Sequence, residues 1–382
     1  MGEFWDSEDI FTDGDQYFDQ MIADIDEAKI YVTVEVYIFN DDLLGRRITD
    51  HLIKAHKRGV KVQIIVDGVG SYSFFNRLHD VFNKQGIMVK MYNPLPFYHP
   101  LYGELNPIRK LKIFRARLWR INRRNHRKII TIDQNIMFTG SFNITAEPTR
   151  FYIAKPWKDM GVRVTGQRVK FAVLNFKKNW KLRDYYRYKK QFNRETENRI
   201  NWRNSPLLLN NTLFMKRFFL KNFLKRIDQA QERIWLMTPY FIPKRRMIRA
   251  LGRAARRGVD VRVMISLNTD VKFFIWLQYF YYPYLLGKGV KIYQYTETVL
   301  HAKNYIIDDF MTIGSTNLNH RSFIHDLEVD LVIQEEENKK KVKDHFIAST
   351  LAQNSITLEG LKQRPLWDRA LSRFFFFFKY WF

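Results

Sequence analysis

Hydrophobic and polar positions along the chain change period in a fixed order, and that order occurs twice. An amphipathic helical pattern ending near Ala28 gives way to an apolar strand, a helix running to Lys57 and a second strand from Val60 to Val66. The same succession returns as a helix ending near Ala230, an apolar strand, a helix running to Arg256 and a strand from Val259 to Ile265. Residues repeat along with the pattern. Ile25-Asp-Glu-Ala28, Tyr37-Ile38 and Arg58-Gly-Val-Lys-Val62 recur about 200 positions later as Ile227-Asp-Gln-Ala230, Tyr240-Phe241 and Arg257-Gly-Val-Asp-Val261. Alternating strand and helix predicts an α/β sandwich in each half. The halves are expected at 1–193 and 207–360, joined by a polar linker over 194–206 that closes on Ser205-Pro206, with an aromatic and basic tail at 361–382.

Composition narrows the partners. A chain of 382 residues with 46% hydrophobic content is long enough for two cored domains. The net charge of +25 calls for a polyanionic partner, either nucleic acid or an anionic membrane surface. With no cysteine, disulfides and thiolate metal sites are excluded and the redox compartment stays open. The acidic start Met-Gly-Glu-Phe-Trp-Asp lacks the basic start and apolar run of a signal peptide, and Asp6 argues against myristoylation at Gly2.

The repeated halves carry a repeated constellation. His126-Arg-Lys128, Asp133 and Gly140-Ser141-Phe-Asn143 are matched by His301-Ala-Lys303, Asp308 and Gly314-Ser315-Thr-Asn317. Each begins a run that reads as a strand, Lys128 to Ile132 and Lys303 to Ile307, and strand alternation sets His and Lys on one face. A neutral imidazole can attack phosphorus while a protonated one donates to the leaving oxygen. The lysines neutralise charge on the non-bridging oxygens, to which Asn143, Asn317 and the hydroxyls of Ser141 and Ser315 can also donate. This set requires no metal and no cofactor. Asp133 and Asp308 have the opposite strand parity, which suits a structural role at the strand end.

Both segments resemble the HKD motif of the phospholipase D superfamily. The chain as a whole is similar to bacterial cardiolipin synthases of the short kind, without N-terminal transmembrane helices. The likeness runs through Glu35-Val-Tyr-Ile-Phe39, Arg58-Gly-Val60 and Val66-Asp-Gly68, then Pro239-Tyr-Phe-Ile-Pro243, Arg257-Gly-Val259 and Asn317-Leu-Asn-His-Arg-Ser322. It implies two duplicated phospholipase D-like α/β sandwich halves with one active site at their interface. It also implies catalytic roles for the His126/Lys128/Asp133 and His301/Lys303/Asp308 motifs, with His126 as nucleophile and His301 as general acid, then base. A carboxylate downstream of each motif fixes an imidazole tautomer in such enzymes, and Asp159 and Glu328 occupy those positions. Tyr37, Tyr240 and Glu35 are expected to support the site. One departure is a gap of five residues between Asp308 and Gly314 where the first copy has six, which puts the placement of Asn317 in question.

Three stretches suit a lipid interface. From Arg109 to Lys128 there are ten basic residues and no acid, interleaved with apolar ones, so that Arg115, Arg117, Trp119 and Arg120 are candidate headgroup contacts. The aromatic run Phe273 to Tyr282 offers Phe274 and Trp276, and the tail offers Phe376 and Trp381. None reaches the roughly 20 apolar residues that span a bilayer. Each has another reading: a solvated or nucleic-acid-binding face, a core helix, and a tail docked back on the protein.

Two functions compete on this reading. One is phosphatidyl transfer from phosphatidylglycerol to the hydroxyl of a second phospholipid through a phosphohistidine, at the cytoplasmic face of the bacterial membrane, with the anionic membrane and phospholipids as partners and no nucleic acid. The other is a nuclease or hydrolase with the same paired chemistry, binding polyanions by charge. Phe-rich amphipathic segments favour lipid.

Overall fold

The computed structural model describes residues 4–96, 106–118, 121–181, 205–269 and 273–377. The linker residues 194–204, together with Trp119, Arg120 and Trp381, lie outside them.

The first half runs β1 (Ser7–Phe11), α1 (Gly14–Glu27), β2 (Tyr31–Val36), α2 (Leu43–Lys57), β3 (Lys61–Asp67), α3 (Leu78–Lys84), β4 (Met88–Tyr92), α4 (Pro107–Leu118), β5 (Lys128–Ile132), β6 (Ile136–Gly140), β7 (Gly161–Thr165) and α5 (Lys170–Lys181). The second runs β8 (Leu207–Leu209), α6 (Leu213–Gln229), β9 (Arg233–Met237), α7 (Arg245–Arg256), β10 (Asp260–Asn268), α8 (Phe273–Leu286), β11 (Lys291–Val299), β12 (Asn304–Ile307), β13 (Phe310–Gly314), α9 (His320–Ile324), β14 (Val329–Val332), α10 (Glu336–Leu351), α11 (Leu358–Lys362) and α12 (Leu366–Phe376).

Each half builds a seven-stranded sheet, in the orders β1-β7-β6-β5-β2-β3-β4 and β8-β14-β13-β12-β9-β10-β11. Position by position the two orders are the same topology. β2, β3 and β4 are parallel, as βαβ crossovers require, while β5 enters antiparallel to β2 and leads the motif hairpin. The helix caps repeat too: α1 and α6 end at Glu27 and Gln229 and are capped by Ala28 and Ala230, beside which their ends were expected.

Three apolar clusters hold this together. One lies between the first sheet and its helices and another between the second sheet and its helices. The third mixes Ile129, Met137, Met160 and Val162 with Met237, Met264, Ile306 and Ile313, so the two sheets pack face to face. Buried on both faces, β2 reads as a run of buried residues rather than an alternation. The stack is therefore helix, sheet, sheet, helix, with the halves sharing a central core.

The shortened second hairpin costs the site nothing. Ile132 pairs with Ile136 across a three-residue turn, and Ile307 pairs with Phe310 across a two-residue turn, so the missing residue is lost at the far end of the hairpin. Asn317 stays buried beside β9, as Asn143 is beside β2.

The aromatic run and the inner face of the tail pack on each other, as the core-helix and docked-tail readings have it. Phe274, expected at the membrane, is core: it is 8% exposed and packs on Tyr240 with ring centroids 4.3 Å apart. Trp276 stacks on Phe375 at 5.4 Å and donates to Asp368, while Phe376 stacks on Phe280 at 3.8 Å. The reason is mutual: α8 is apolar almost all round, and the inner face of α12 is what covers it. The tail is thus partly a docked helix rather than a free arm.

Candidate active site at the junction of the halves

Each motif histidine sits just before its strand, held by the opposite half. Asn125 forms a β-bridge with Leu327, with His126 N–H donating to the Leu327 carbonyl at 2.9 Å and Leu327 N–H donating to the Arg124 carbonyl at 2.9 Å. Lys158 forms the matching bridge with Leu300, and its carbonyl accepts the N–H groups of His301 and Ala302, both at 2.8 Å. One residue beyond each bridge stands a carboxylate. The bridges therefore carry Glu328 to His126 and Asp159 to His301, so the histidine of each half is served by the acid of the other. His126 Nδ1 lies 3.0 Å from Glu328 Oε2, and His301 Nδ1 lies 2.7 Å from Asp159 Oδ1.

The tautomer of His126 is fixed by a second neighbour. Its Nδ1 is 3.1 Å from the Ser315 carbonyl oxygen, which can only accept, so Nδ1 carries the proton and Nε2 keeps its lone pair.

Both lysines are wholly buried and turned onto their histidines' backbones. Lys128 Nζ donates to the His126 carbonyl at 2.7 Å, and Lys303 Nζ donates to the His301 carbonyl. Burial, with repulsion from Lys303, pushes the Lys128 ammonium well below its ordinary range. Burial, with Lys128 and Lys303 adding, does the same to the His126 imidazole. Burial leads both shifts and lysine–lysine repulsion follows, so an anion such as a phosphodiester placed between Lys128 and Lys303 would relieve the repulsion.

The two histidine–carboxylate pairs differ electrostatically. Burial raises Glu328 to about 7, an effect that the lysines and the Ser315 hydroxyl only partly oppose. Asp159 is also buried, yet the neighbouring His301 and Lys303 pull its carboxyl below the ordinary value. His301 itself is lowered by burial, against which Asp159 is the main opposing charge. An ionised Asp159 opposes, without overturning, the burial that favours a neutral His301; a partly protonated Glu328 gives His126 less such support.

The remaining predicted residues divide. Asn143 Oδ1 accepts the Ile38 N–H at 3.3 Å, and Asn317 Oδ1 is 3.5 Å from the Thr238 hydroxyl, so both amide oxygens anchor on the loop that follows the central strand. The serines need correcting as phosphate donors. The Ser315 hydroxyl donates to Glu328, and the Ser141 hydroxyl donates to the Met160 carbonyl at 3.0 Å; each has one proton, and it is already used. Asp133 and Asp308 stand at the far end of their strands. Asp133 accepts the N–H groups of Lys29, Ile30 and Tyr31, and Asp308 those of Gln231, Glu232 and Arg233, at 2.8 to 3.0 Å. They pin the start of β2 and β9 to the motif hairpin and do not join the histidines.

The motif glycines have a steric reason. A Cβ on Gly140, at φ 138°, would come within 2.5 Å of the Met160 oxygen, and one on Gly314 would meet the Asp330 carboxylate and the Val329 oxygen. Close approach of β6 to β7, and of β13 to β14, is what brings the residues preceding β7 and β14, Asp159 and Glu328 among them, to the histidines.

Glu35, expected to support the site, does so within a network whose Asn125, Asn179 and Arg127 the sequence did not single out. Asp67 accepts the Asn125 N–H at 2.9 Å and faces Arg124; Asn125 Nδ2 donates to Glu35 at 2.9 Å, and Asn179 donates to the same oxygen at 2.8 Å. Arg127, between the motif His and Lys, is fully buried and donates to the Glu328 carbonyl at 3.1 Å and to Asn211. Tyr37 lies edge-on to His126, with centroids 4.8 Å apart, whereas Tyr240 packs with Phe274.

Comparison with known proteins decides the family. The family described as "Cardiolipin synthase, PLD-like domain" matches residues 21–152 and 223–349, the two repeated halves. The chain belongs to that family. It is 31% identical over 377 residues to a cardiolipin synthase of Clostridium perfringens (strain SM101 / Type A), spanning 94% of this chain and 74% of that protein. It is 30% identical over 373 residues to the cardiolipin synthase of Staphylococcus aureus (strain Mu50), spanning 94% and 70%. Among solved structures, the phosphatidylserine synthase of Haemophilus influenzae Rd KW20 shares the fold with a TM-score of 0.68 at 14% identity, over 97% of this chain and 93% of that one. The polyphosphate kinase of Porphyromonas gingivalis does so at 0.59 and 12%, over 90% and 50%. No helix among the described residues of this family member is long and apolar enough to cross a membrane.

Proposed function

We propose that the protein is a phosphatidyltransferase that makes cardiolipin from two molecules of phosphatidylglycerol, releasing glycerol. The crossed His–carboxylate pairs carry this reading, because they supply one neutral and one protonatable imidazole beside two buried lysines, whose ammonium forms a bound phosphate anion favours. His126 Nε2 attacks the donor phosphorus; the phosphorus–oxygen bond to glycerol breaks, and His301 Nε2–H gives its proton to the departing oxygen. His301 then takes the proton of the acceptor's primary hydroxyl. That oxygen attacks phosphatidyl-His126, the phosphorus–nitrogen bond breaks, and cardiolipin leaves. Lys128, Lys303 and the amide N–H groups of Asn143 and Asn317 hold the non-bridging oxygens throughout.

The test is direct. Purified protein incubated with phosphatidylglycerol vesicles should yield cardiolipin and glycerol in equal amounts, followed by mass spectrometry. Phosphatidic acid as the sole lipid product would make it a hydrolase, and cleavage of DNA or RNA without lipid turnover would make it a nuclease.

Attachment to the cytoplasmic membrane surface belongs to the same proposal. The outer face of α12 presents Leu366, Trp367, Phe374 and Phe377 at 78%, 64%, 55% and 79% exposure, flanked by exposed Arg369 and Arg373. An apolar stripe beside cations on a docked helix suits the headgroup boundary of an anionic bilayer. α4 has no buried residue and exposes Arg109, Lys110, Lys112 and Arg115, with no acid along it. Trp367→Ser combined with Phe374→Ser is expected to weaken co-sedimentation with phosphatidylglycerol vesicles by roughly tenfold or more, since two large side chains lose their burial. Undiminished binding would remove α12 from the contact.

A further inference from the structure

The two motif serines are held alike, and the residues that follow them are not. Ser141 N–H donates to the Met160 carbonyl at 2.9 Å, and Met160 N–H donates back to the Ser141 hydroxyl oxygen at 3.0 Å. Ser315 and Val329 repeat this exchange at 2.8 and 3.0 Å. One residue further on, the halves part. Phe142 in the first half stacks on Tyr17 with ring centroids 4.4 Å apart, and the strand position facing Gly140 is Gly161, where a Cβ would strike both rings. In the second half Thr316 stands in place of the phenylalanine, and Asp330 is in register with Gly314. Both are buried. Asp330 Oδ1 accepts the Thr316 N–H at 3.2 Å, and Oδ2 accepts the Thr316 hydroxyl at 2.6 Å. The Thr316 carbonyl in turn accepts the Tyr305 hydroxyl.

This hold reaches the histidine through one peptide group. Thr316 N–H and the Ser315 carbonyl belong to the same planar trans unit, in which they point in opposite directions. An acceptor fixed on the N–H side therefore aims the carbonyl the other way, where His126 Nδ1 lies 3.1 Å from the oxygen. The first half lacks both ends of this arrangement. Among the described residues, His301 Nδ1 meets the Asp159 carboxylate and not the Ser141 carbonyl.

We propose that Asp330, acting through Thr316, is a positioning residue that aims the Ser315 carbonyl at His126 Nδ1 and so keeps the Nε2 lone pair free. The inference rests on the phosphatidyl-transfer reading, to which it adds the reason that His126, and not His301, is built as the nucleophile. Glu328 creates the need for such a device. Its carboxyl, raised to about 7 by burial, is partly protonated at neutral pH. A protonated carboxyl can donate to Nδ1, which leaves the imidazole proton on Nε2 and removes the lone pair from the attacking nitrogen. A carbonyl only accepts, so it selects the Nδ1–H tautomer in either state of Glu328.

The tautomer is read without lipid, from the imidazole nitrogen chemical shifts of isotope-labelled protein, with the two signals assigned by His126→Gln and His301→Gln. Wild-type protein should show His126 protonated at Nδ1 and bare at Nε2. Asp330→Ala should shift the His126 ratio toward the Nε2–H form by roughly fivefold, the worth of a single hydrogen bond, and leave the His301 signals in place. Thr316→Val, which removes one of the two holds, should shift it the same way by less. Asp330→Asn, whose amide oxygen still accepts the Thr316 N–H, should keep the wild-type ratio. A merely structural role for Asp330 would lower the unfolding temperature without moving one histidine alone. The assignment is overturned by an Nε2–H tautomer of His126 in the wild type, or by equal shifts at both histidines. An unchanged ratio in Asp330→Ala, or in Thr316→Val should that first chain not fold, overturns it as well. So does a loss in Asp330→Asn equal to that in Asp330→Ala, since charge rather than the N–H acceptor would then be the agent. Wild-type protein that holds the Nδ1–H tautomer, loses it in Asp330→Ala, and yet releases no glycerol from phosphatidylglycerol vesicles would support the clamp and defeat the transfer reading.

Discussion

Alanine at His126 is expected to abolish phosphatidyl transfer, by roughly 10⁴-fold or more, the scale on which enzymes lose turnover when a covalent nucleophile is removed. Alanine at His301 should be as damaging with phosphatidylglycerol as donor, since an unprotonated glycerol oxygen is a poor leaving group. The two variants should part company with a donor whose leaving group needs no proton, such as a p-nitrophenyl phosphatidyl ester. His301→Ala should then release p-nitrophenol in a burst of one equivalent and stall, because the second step lacks its base. His126→Ala should release none. Equal behaviour of the two variants on the activated donor would remove the division of labour between the histidines. Neither side chain belongs to an apolar cluster, so the fold should survive, as thermal unfolding would show.

Asparagine at Asp159 is expected to cost on the order of 10³-fold in kcat/KM at neutral pH, by analogy with the loss seen when the carboxylate orienting a catalytic imidazole is made neutral. Glutamine at Glu328 is expected to cost much less. The difference follows from the two pairs. Glu328 is held at about 7 by burial, so the neutral amide resembles a form the wild type already populates, and the Ser315 carbonyl still fixes Nδ1–H of His126. Asp159 is held below its ordinary range and is ionised throughout the working pH range. Its charge is the main influence raising His301 against burial, so removing it lowers the pH at which His301 gives up its proton. The falling, high-pH limb of the kcat/KM profile should therefore move to lower pH in Asp159→Asn and stay in place in Glu328→Gln. Equal losses, or a shift in the wrong variant, would show that the pairs are electrostatically alike.

Much of this site is legible in the amino-acid sequence. The pattern from His126 to Asn143, repeated one residue shorter from His301 to Asn317, marks the catalytic candidates, and the opposite strand parity of Asp133 and Asp308 separates them from the histidines. Helix ends at Ala28 and Ala230 are readable because the same four-residue pattern closes both. What is not legible depends on relations between halves. Nothing in a linear pattern says that Asp159 reaches His301 while Glu328 reaches His126, because that is set by the backbone bridges of Lys158 with Leu300 and of Asn125 with Leu327. Ser141 and Ser315 read as phosphate donors because hydroxyl chemistry permits it, whereas in the fold a carbonyl and a carboxylate occupy their protons. Phe274 reads as either core or lipid-facing because α8 is aromatic nearly all round, and only the packing of α12 and Tyr240 on that helix decides for core.

The proposed mechanism passes through a covalent intermediate on one histidine of a site shared by both halves, and trapping that intermediate tests it. The His301→Ala protein, mixed with the activated phosphatidyl donor, digested under basic conditions and sequenced by mass spectrometry, should carry the phosphatidyl group on Nε2 of His126 in stoichiometric amount, and the further change Glu328→Gln should leave the adduct on the same residue. An adduct on any other residue, or single turnover of the activated donor with no adduct at all, would contradict the account.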